Sequence, residues 1–312
     1  MDSDDAIRSR FWQFQGKTAP FPGWSGYLNQ FDGYAHSADA LEGVYRLTQA
    51  AGVRFFLGEV EGAVGEIVYE DGVGGEKKAV GIRTKNECVH KAEVVIIAAG
   101  AAAGRLVSEI GTQVVAKAWS VAHVQLTDEE TSALRGIPVT YARDLGFLFE
   151  PDPKTNLLKV CPMGGGVVNT DGMTGVSLPP EDQLQASAIL PYEDEQRIRR
   201  LLRETLPELV ERPLVRRSLC WFADTRDSDY IVDYVPGTRE SVVLLSGDSG
   251  HGFKMFPIVG EWVLDLFQRR KAAQWAFKSA IRTDRVDWGG DVSWRVGETK
   301  ELVEVQPSMG KL

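Results

Sequence analysis

Cysteine is scarce in this sequence. Cys88, Cys161 and Cys220 are the three in 312 residues, far apart and without Cys-x-x-Cys or histidine-spaced partners, which argues against a disulfide scaffold and a zinc site. Long apolar runs are missing too. The longest, Val94-Val95-Ile96-Ile97-Ala98-Ala99, falls far short of the roughly 20 residues a membrane-spanning helix needs. An excess of basic charge is likewise absent: 35 Lys and Arg face 44 Asp and Glu, a net charge of −9, so no nucleic-acid partner is expected. The acidic start Met1-Asp2-Ser3-Asp4-Asp5 does not read as a signal peptide, and the expectation is a soluble, intracellular chain.

Three generic signatures are absent as well. Gly72-Val73-Gly74 has Lys77 where a Gly-x-Gly-x-x-Gly turn would place its third glycine, and Gly250-His251-Gly252 has Met255. There is no Walker loop and no His-Glu-x-x-His helix, so no metal is expected. What remains is ordinary globular composition, 43% hydrophobic and 25% charged, in a chain long enough for one or two cores.

Periodicity supplies the elements. Ala40, Leu41, Val44, Leu47 and Ala51 recur at helical spacing from Ser37, with Gly52 as the stop. Four strand-like runs follow: 53–57, 67–69, 79–84 and 94–99, the last opening into the small-residue turn Gly100 to Gly104. Further on, strands are predicted over 119–126, 147–149 and 157–161, then a Gly/Pro-rich stretch from Pro162 to Pro180 and a charged amphipathic helix over 192–206. A buried strand over 242–245 then feeds Gly247-Asp248-Ser249-Gly250-His251-Gly252-Phe253-Lys254 and a helix through Val259, Val263, Leu266 and Phe267. A strand entering a glycine-rich turn and a helix N-terminus is a favoured seat for an anion or cofactor. The tail from Arg269 is weakly periodic and reads as an extended arm.

At residues 247–254 the sequence resembles the fungal fructosyl amine oxidases (amadoriases) and, more distantly, monomeric sarcosine oxidase, which are FAD-dependent amine oxidases. The likeness extends over Leu219-Cys220-Trp221-Phe222-Ala223-Asp224-Thr225, Gly146 to Asp152, Ala116-Lys117-Ala118-Trp119, Ala122 to Thr127 and Gly23-Trp24, and covers residues 1 to about 270. It implies a mixed α/β fold: part of an FAD-binding Rossmann-like domain interleaved with a mixed-sheet substrate domain. The implied division is a connecting segment (1–35), part of the FAD domain (36–113), the substrate domain (114–215), the return of the FAD domain (216–270) and a C-terminal arm (271–312). Met1 aligns inside the family sequence, so the strand and turn carrying the family's Gly-x-Gly-x-x-Gly fingerprint are expected to be missing, leaving an unpaired sheet edge.

The resemblance also assigns roles. Cys220 matches the cysteine that holds FAD by a thioether, whereas Cys88 reads as a small buried thiol. Lys159 matches the lysine that faces the flavin and activates O2, and Leu157, Leu158 and Val160 around it predict partial burial. Lys254 matches a lysine for the substrate carboxylate, with His251 beside the flavin. Gly100, Gly247, Asp248, Gly250, Gly252 and Phe253 are read as the turns pressed against the cofactor. Met163 stands where the family has a sugar-contacting glutamate, and the later Trp-Arg-Trp-Arg-Pro is only echoed by Trp275-Ala276-Phe277-Lys278. A secondary amine or N-substituted amino acid more apolar than a fructosyl amine is therefore the expected substrate, oxidised to an imine with O2 reduced to H2O2, in fungal secondary metabolism. The competing expectation is a non-catalytic fragment, or a half-protein completed by a separately encoded N-terminal segment. The C-terminal Gly310-Lys311-Leu312 is close to a peroxisomal Ser-Lys-Leu address, so both cytoplasm and peroxisome are open.

Overall fold

The computed structural model describes residues 1–14, 21–72, 75–110, 113–182, 186–270, 273–277 and 297–306. Helix α1 (Asp4–Arg10) starts at Ser3, whose hydroxyl accepts the Ala6 N–H, and its charges follow the helix dipole, with Asp4 and Asp5 first and Arg8 and Arg10 last. Behind it Phe14, Phe21 and Trp24 pack edge to face, and Trp24 Nε1 donates to Glu204 at 2.8 Å. Helix α2 (Ser37–Ala50) forms where the periodicity predicts it.

Three sheets carry the chain. Strands β1 (Val64–Asp71), β2 (Lys77–Thr84) and β3 (Val89–Lys91) make an antiparallel sheet. After β4 (Val95–Ile97), the long strand β5 (Val115–Gln125) enters the largest sheet. Helix α3 (Asp128–Ala133) follows it, held by a capping box between Thr127 and Glu130. That sheet is completed by β6 (Thr140–Ala142), β7 (Gly146–Leu148), β8 (Leu157–Pro162), β9 (Val167–Val168), β10 (Leu214–Asp224) and β13 (Lys300–Glu301). Its order is β13-β9-β5-β8-β7-β6, with β10 also paired to β5. Between β9 and β10 lies α4 (Tyr192–Thr205), predicted by its pattern, and its Ile198, Leu201 and Leu202 pack against Ala122, Val124, Leu158 and Val160 of the sheet.

The third sheet has the order β11-β12-β4, from β11 (Ile231–Tyr234) and β12 (Val242–Ser246). Strand β12 runs parallel to β4 and antiparallel to β11. Helices α5 (Gly252–Met255) and α6 (Val259–Phe267) follow β12, and α7 (Leu302–Val305) follows β13. The architecture is mixed α/β with mixed sheets, as expected from the sequence. Among the described residues no helix is long and apolar enough to cross a membrane.

Four expectations are corrected. Residues 53–57 form no strand, because this β-prone run finds no partner and a strand without one keeps its backbone groups unpaired. The run over 94–99 is a strand only over Val95–Ile97. Cys88 is exposed rather than buried, since it sits in the turn between β2 and β3, where Asn86 accepts its N–H. The tail is not simply an extended arm: β13 pairs in parallel with β9, and Trp275 packs on Trp262 at 4.3 Å. Lys278 and Gly310-Lys311-Leu312 lie outside the described residues.

Candidate active site

Alternation along β5 divides the large sheet into two chemically different faces. Ala116, Ala118, Ser120, Ala122 and Val124 are all buried, whereas Trp119, Val121 and His123 are half-open on the other side. Register then decides what joins them. Lys159 of β8 lies opposite His123, Cys220 of β10 opposite Trp119, and Phe147 of β7 opposite Cys161, so all six side chains share the open face.

Lys159 is exposed, which corrects the expectation of partial burial. Leu158 and Val160 point into the core, and the alternation sends the residue between them outward. Its ammonium lies 5.2 Å from the centre of the Phe149 ring. Desolvation holds His123 below the usual imidazole range, and the nearby charge of Lys159 pushes it further down. Cys220 is exposed, while burial pushes the Cys161 thiol up to about 11. Met163 is fully buried, its N–H donating to Leu145 O at 2.9 Å.

The turn after β12 is clamped onto β10 beside this face. Ser249 N donates to Ala223 O at 2.8 Å, Ala223 N to Asp248 Oδ1 at 3.0 Å, and Thr225 N to Ser249 Oγ at 3.1 Å. Asp248 Oδ2 accepts Gly250 N at 3.2 Å, so its carboxylate is divided between β10 and the turn, and burial raises its pKa against those hydrogen bonds. Gly247 has φ +81°, and a Cβ there would stand 2.8 Å from Thr225 Cγ2. Gly250, at φ +78°, sits over the Trp119 and Phe222 rings, where a Cβ would be 3.7 Å from Trp119. At Gly252 a Cβ would press on Asp248 at 2.8 Å.

His251 precedes α5. Its Nδ1 lies 3.1 Å from Ser249 O, and Tyr230 OH donates to its carbonyl at 3.2 Å. Lys254 is exposed on α5, and Phe253 stacks on Phe256 at 5.6 Å. Gly100, three residues beyond the end of β4, has φ +53°, and its carbonyl accepts Ser246 Oγ at 3.3 Å. Both glycine turns thus stand at the carboxyl ends of the parallel pair β4 and β12, where open α/β sheets seat their ligands.

Sequence reading left out four neighbours of this face. Lys117, 2% exposed, faces Asp224, 0% exposed, at 3.6 Å, a buried ion pair tying β5 to the end of β10. Trp119, His123 and Phe149 are the others. Their signal was the every-second-residue placement of Lys117, Trp119 and His123, which period-2 counting could have found. Among the described residues no cluster of metal-binding side chains occurs.

The residues present suit a planar, redox-active ring system: an exposed thiol and an exposed ammonium share the open face, and the rings of Trp119 and Phe222 lie under the Gly250 turn. The pyrophosphate of a dinucleotide finds no fingerprint turn among the described residues.

Residues 6–266 match the family model for FAD dependent oxidoreductases (DAO). The chain is 28% identical to the L-saccharopine oxidase of Schizosaccharomyces pombe over 304 residues, 95% of this chain and 69% of that protein. It is 27% identical to the amino acid oxidase imqH of Aspergillus flavus over 277 residues, 77% of this chain and 57% of that one. The crystal structure of the fructosamine oxidase Amadoriase II of Aspergillus fumigatus superimposes with a TM-score of 0.86 at 28% identity, over 98% of this chain and 73% of that chain. This chain therefore spans between somewhat over half and about three quarters of the length of these three proteins. With the family model covering most of its length, the chain belongs to the FAD-dependent oxidoreductase family, a family of enzymes.

Proposed function

We propose that the open face is the amine-oxidising site of an FAD-dependent oxidase acting on a secondary amine or N-substituted amino acid. The observation that carries this reading is the placement of Cys220 and Lys159 on one face, with the Gly247–Phe253 turn seated over Trp119 and Phe222 beside them. In the reaction the CH–NH unit loses two electrons and two protons to become an imine, and O2 takes up the same two electrons and two protons as H2O2. FAD, when bound, supplies the two-electron relay between these halves.

The chain's own residues divide the remaining work. Cys220 anchors the cofactor, a role that suits it better than Cys161, whose thiol is held near 11 and stays protonated at neutral pH. Lys159 places a positive charge where the first electron onto O2 creates an anion. Lys254 orients the substrate carboxylate, and His251 lies in the turn beside the ring. Fungal secondary metabolism suits an oxidase that keeps Met163 where a sugar contact would be, and both cytoplasm and peroxisome accept such an enzyme.

The test is acid precipitation of the purified chain followed by flavin absorbance. Colour in the pellet that disappears in Cys220→Ala and persists in Cys161→Ser is the expected result; colour lost equally in both overturns the anchor. Lys159→Met is expected to slow O2 consumption roughly a hundredfold while leaving anaerobic amine oxidation nearly unchanged. Equal slowing of the two half-reactions contradicts the role given to Lys159.

A second reading, that the chain acts only when joined by an α/β segment bearing a fingerprint turn, is favoured by apolar side chains left bare on a helix and on a sheet edge. Helix α2 buries none of its residues, and Leu41 and Leu47 are 50% and 71% exposed. Nearby Phe56 and Leu57 are also exposed, and β4 ends its sheet with Ile96 46% exposed. An added parallel strand beside β4, with its helix, is the kind of element that covers such a surface, whether the same polypeptide or another supplies it. Co-expression with a strand-turn-helix segment carrying Gly-x-Gly-x-x-Gly is expected to yield a coloured complex. A chain equally coloured without it removes the need for the segment.

A further inference from the structure

On the far side of Lys159 from Cys220, the open face ends in rings. Tyr141 on β6 stacks on Phe147 on β7, with centroids 4.5 Å apart and planes at 16°. Phe147 in turn lies 6.3 Å from Phe149, nearly parallel at 21°. Phe149 carries the Lys159 ammonium on one side, and Tyr34 stands edge-on to it at 6.5 Å. Tyr34 is fixed there by donating to Glu150 at 2.6 Å, and that carboxylate also accepts Gly136 N at 2.8 Å.

The cross-strand pair of Tyr141 and Phe147 stabilises the sheet, but that pairing does not require the strip to continue to Phe149 beside Lys159. Core-facing residues of the same strands, Leu148, Leu158 and Val160, are aliphatic and fully buried, so on these strands the rings are confined to the other face. The rings lie on the face left open: Tyr141 is 48% exposed, and Phe147 and Phe149 are half-buried. Parallel rings offer flat π surface to a further planar group, and aromatic pairs gain free energy beyond that of the area they bury.

We propose that Tyr141, Phe147 and Phe149 form a substituent subsite, taking a flat aromatic group carried by the amine whose nitrogen is oxidised beside Lys159. This rests on the reading of the open face as the amine site. It narrows the substrate to amines in which an aromatic group is joined to the reacting CH–NH unit by a short linker, the strip beginning at Phe149 directly under the lysine.

Titration calorimetry of the full chain with four probes tests the subsite: N-benzylglycine, N-(cyclohexylmethyl)glycine, N-(1-deoxyfructosyl)glycine and N-methylglycine. N-Benzylglycine is expected to bind about three- to tenfold tighter than the cyclohexyl analogue, the margin that stacking adds over buried area. It should exceed the fructosyl and methyl compounds by more. Tyr141→Ala, at a half-exposed position, and Phe147→Leu, which keeps an apolar volume, are each expected to erase the benzyl advantage while leaving N-methylglycine binding unchanged. Equal affinities, a fructosyl or cyclohexyl preference, a benzyl advantage that survives both substitutions, or no binding of any probe would each overturn the subsite. Flavin content measured on the same sample separates this outcome from that of the oxidase reading. A colourless chain that still prefers the benzyl compound keeps the subsite and loses the oxidase; a coloured chain without the preference does the reverse.

Discussion

Helices α2 and α4 have the same length, fourteen residues, and both carry an apolar stripe at helical spacing, yet they live in different surroundings. Helix α4 buries Ile198, Leu201, Leu202 and Thr205 against the closed face of the large sheet, whereas α2 buries nothing. The stripe of a helix records which side is meant to be covered. It does not record what covers it, because the hydrophobic term is realised only when a partner removes the area from water. A helix of this length gains little from its own hydrogen bonds, so α2 carries a cost that α4 does not.

The comparison breaks most visibly on α4. Leu201→Ala removes a fully buried side chain between helix and sheet and is expected to cost about 2–5 kcal/mol, read as a lower denaturation midpoint in urea. A loss below about 1 kcal/mol would mean that α4 is held no better than α2. The tether at the end of α4 ranks next. Trp24→Phe keeps the ring packed on Phe21 but leaves Glu204 without its indole donor, and the expected loss is about 1.5 kcal/mol, because the lost bond goes to a charged acceptor. Glu204 still accepts from Arg200 at 2.8 Å, which holds the effect below that of Leu201→Ala.

The same contrast explains what was legible in the sequence. Periodicity located both helices and most of the long strand β5, since spacing is set by backbone geometry, but not β10, which is equally long. The turn at 247–254 was also legible, because Gly247 and Gly252 stand where a Cβ would collide with Thr225 and Asp248. Burial was less legible. The apolar neighbours of Lys159 suggest partial burial, but in a strand the adjacent residues face the opposite way, so those neighbours argue for exposure. Residues 53–57 look like a strand by composition and find no partner, which is the failing of α2 transferred to a β-prone segment. The ion pair of Lys117 and Asp224 was invisible because register, not composition, brings the ends of β5 and β10 together.

The smallest expected effect sharpens the comparison furthest. Leu47→Gln on α2 places a polar group where the side chain is already 71% exposed, so the chain's own stability should change by no more than about 0.5 kcal/mol. The size of that response depends on whether a partner is present. If an α/β segment docks on α2 and the edge of β4, the same substitution buries a polar group at the new interface, and recovery of the complex should fall severalfold while the unpartnered chain is unaffected. Two measurements on one variant, a urea midpoint for the chain alone and the yield of the complex, therefore distinguish a stripe that is merely tolerated in water from one that awaits a cover. A large stability loss in the unpartnered chain would show that α2 is already packed in solution, and α2 and α4 would then no longer differ in kind.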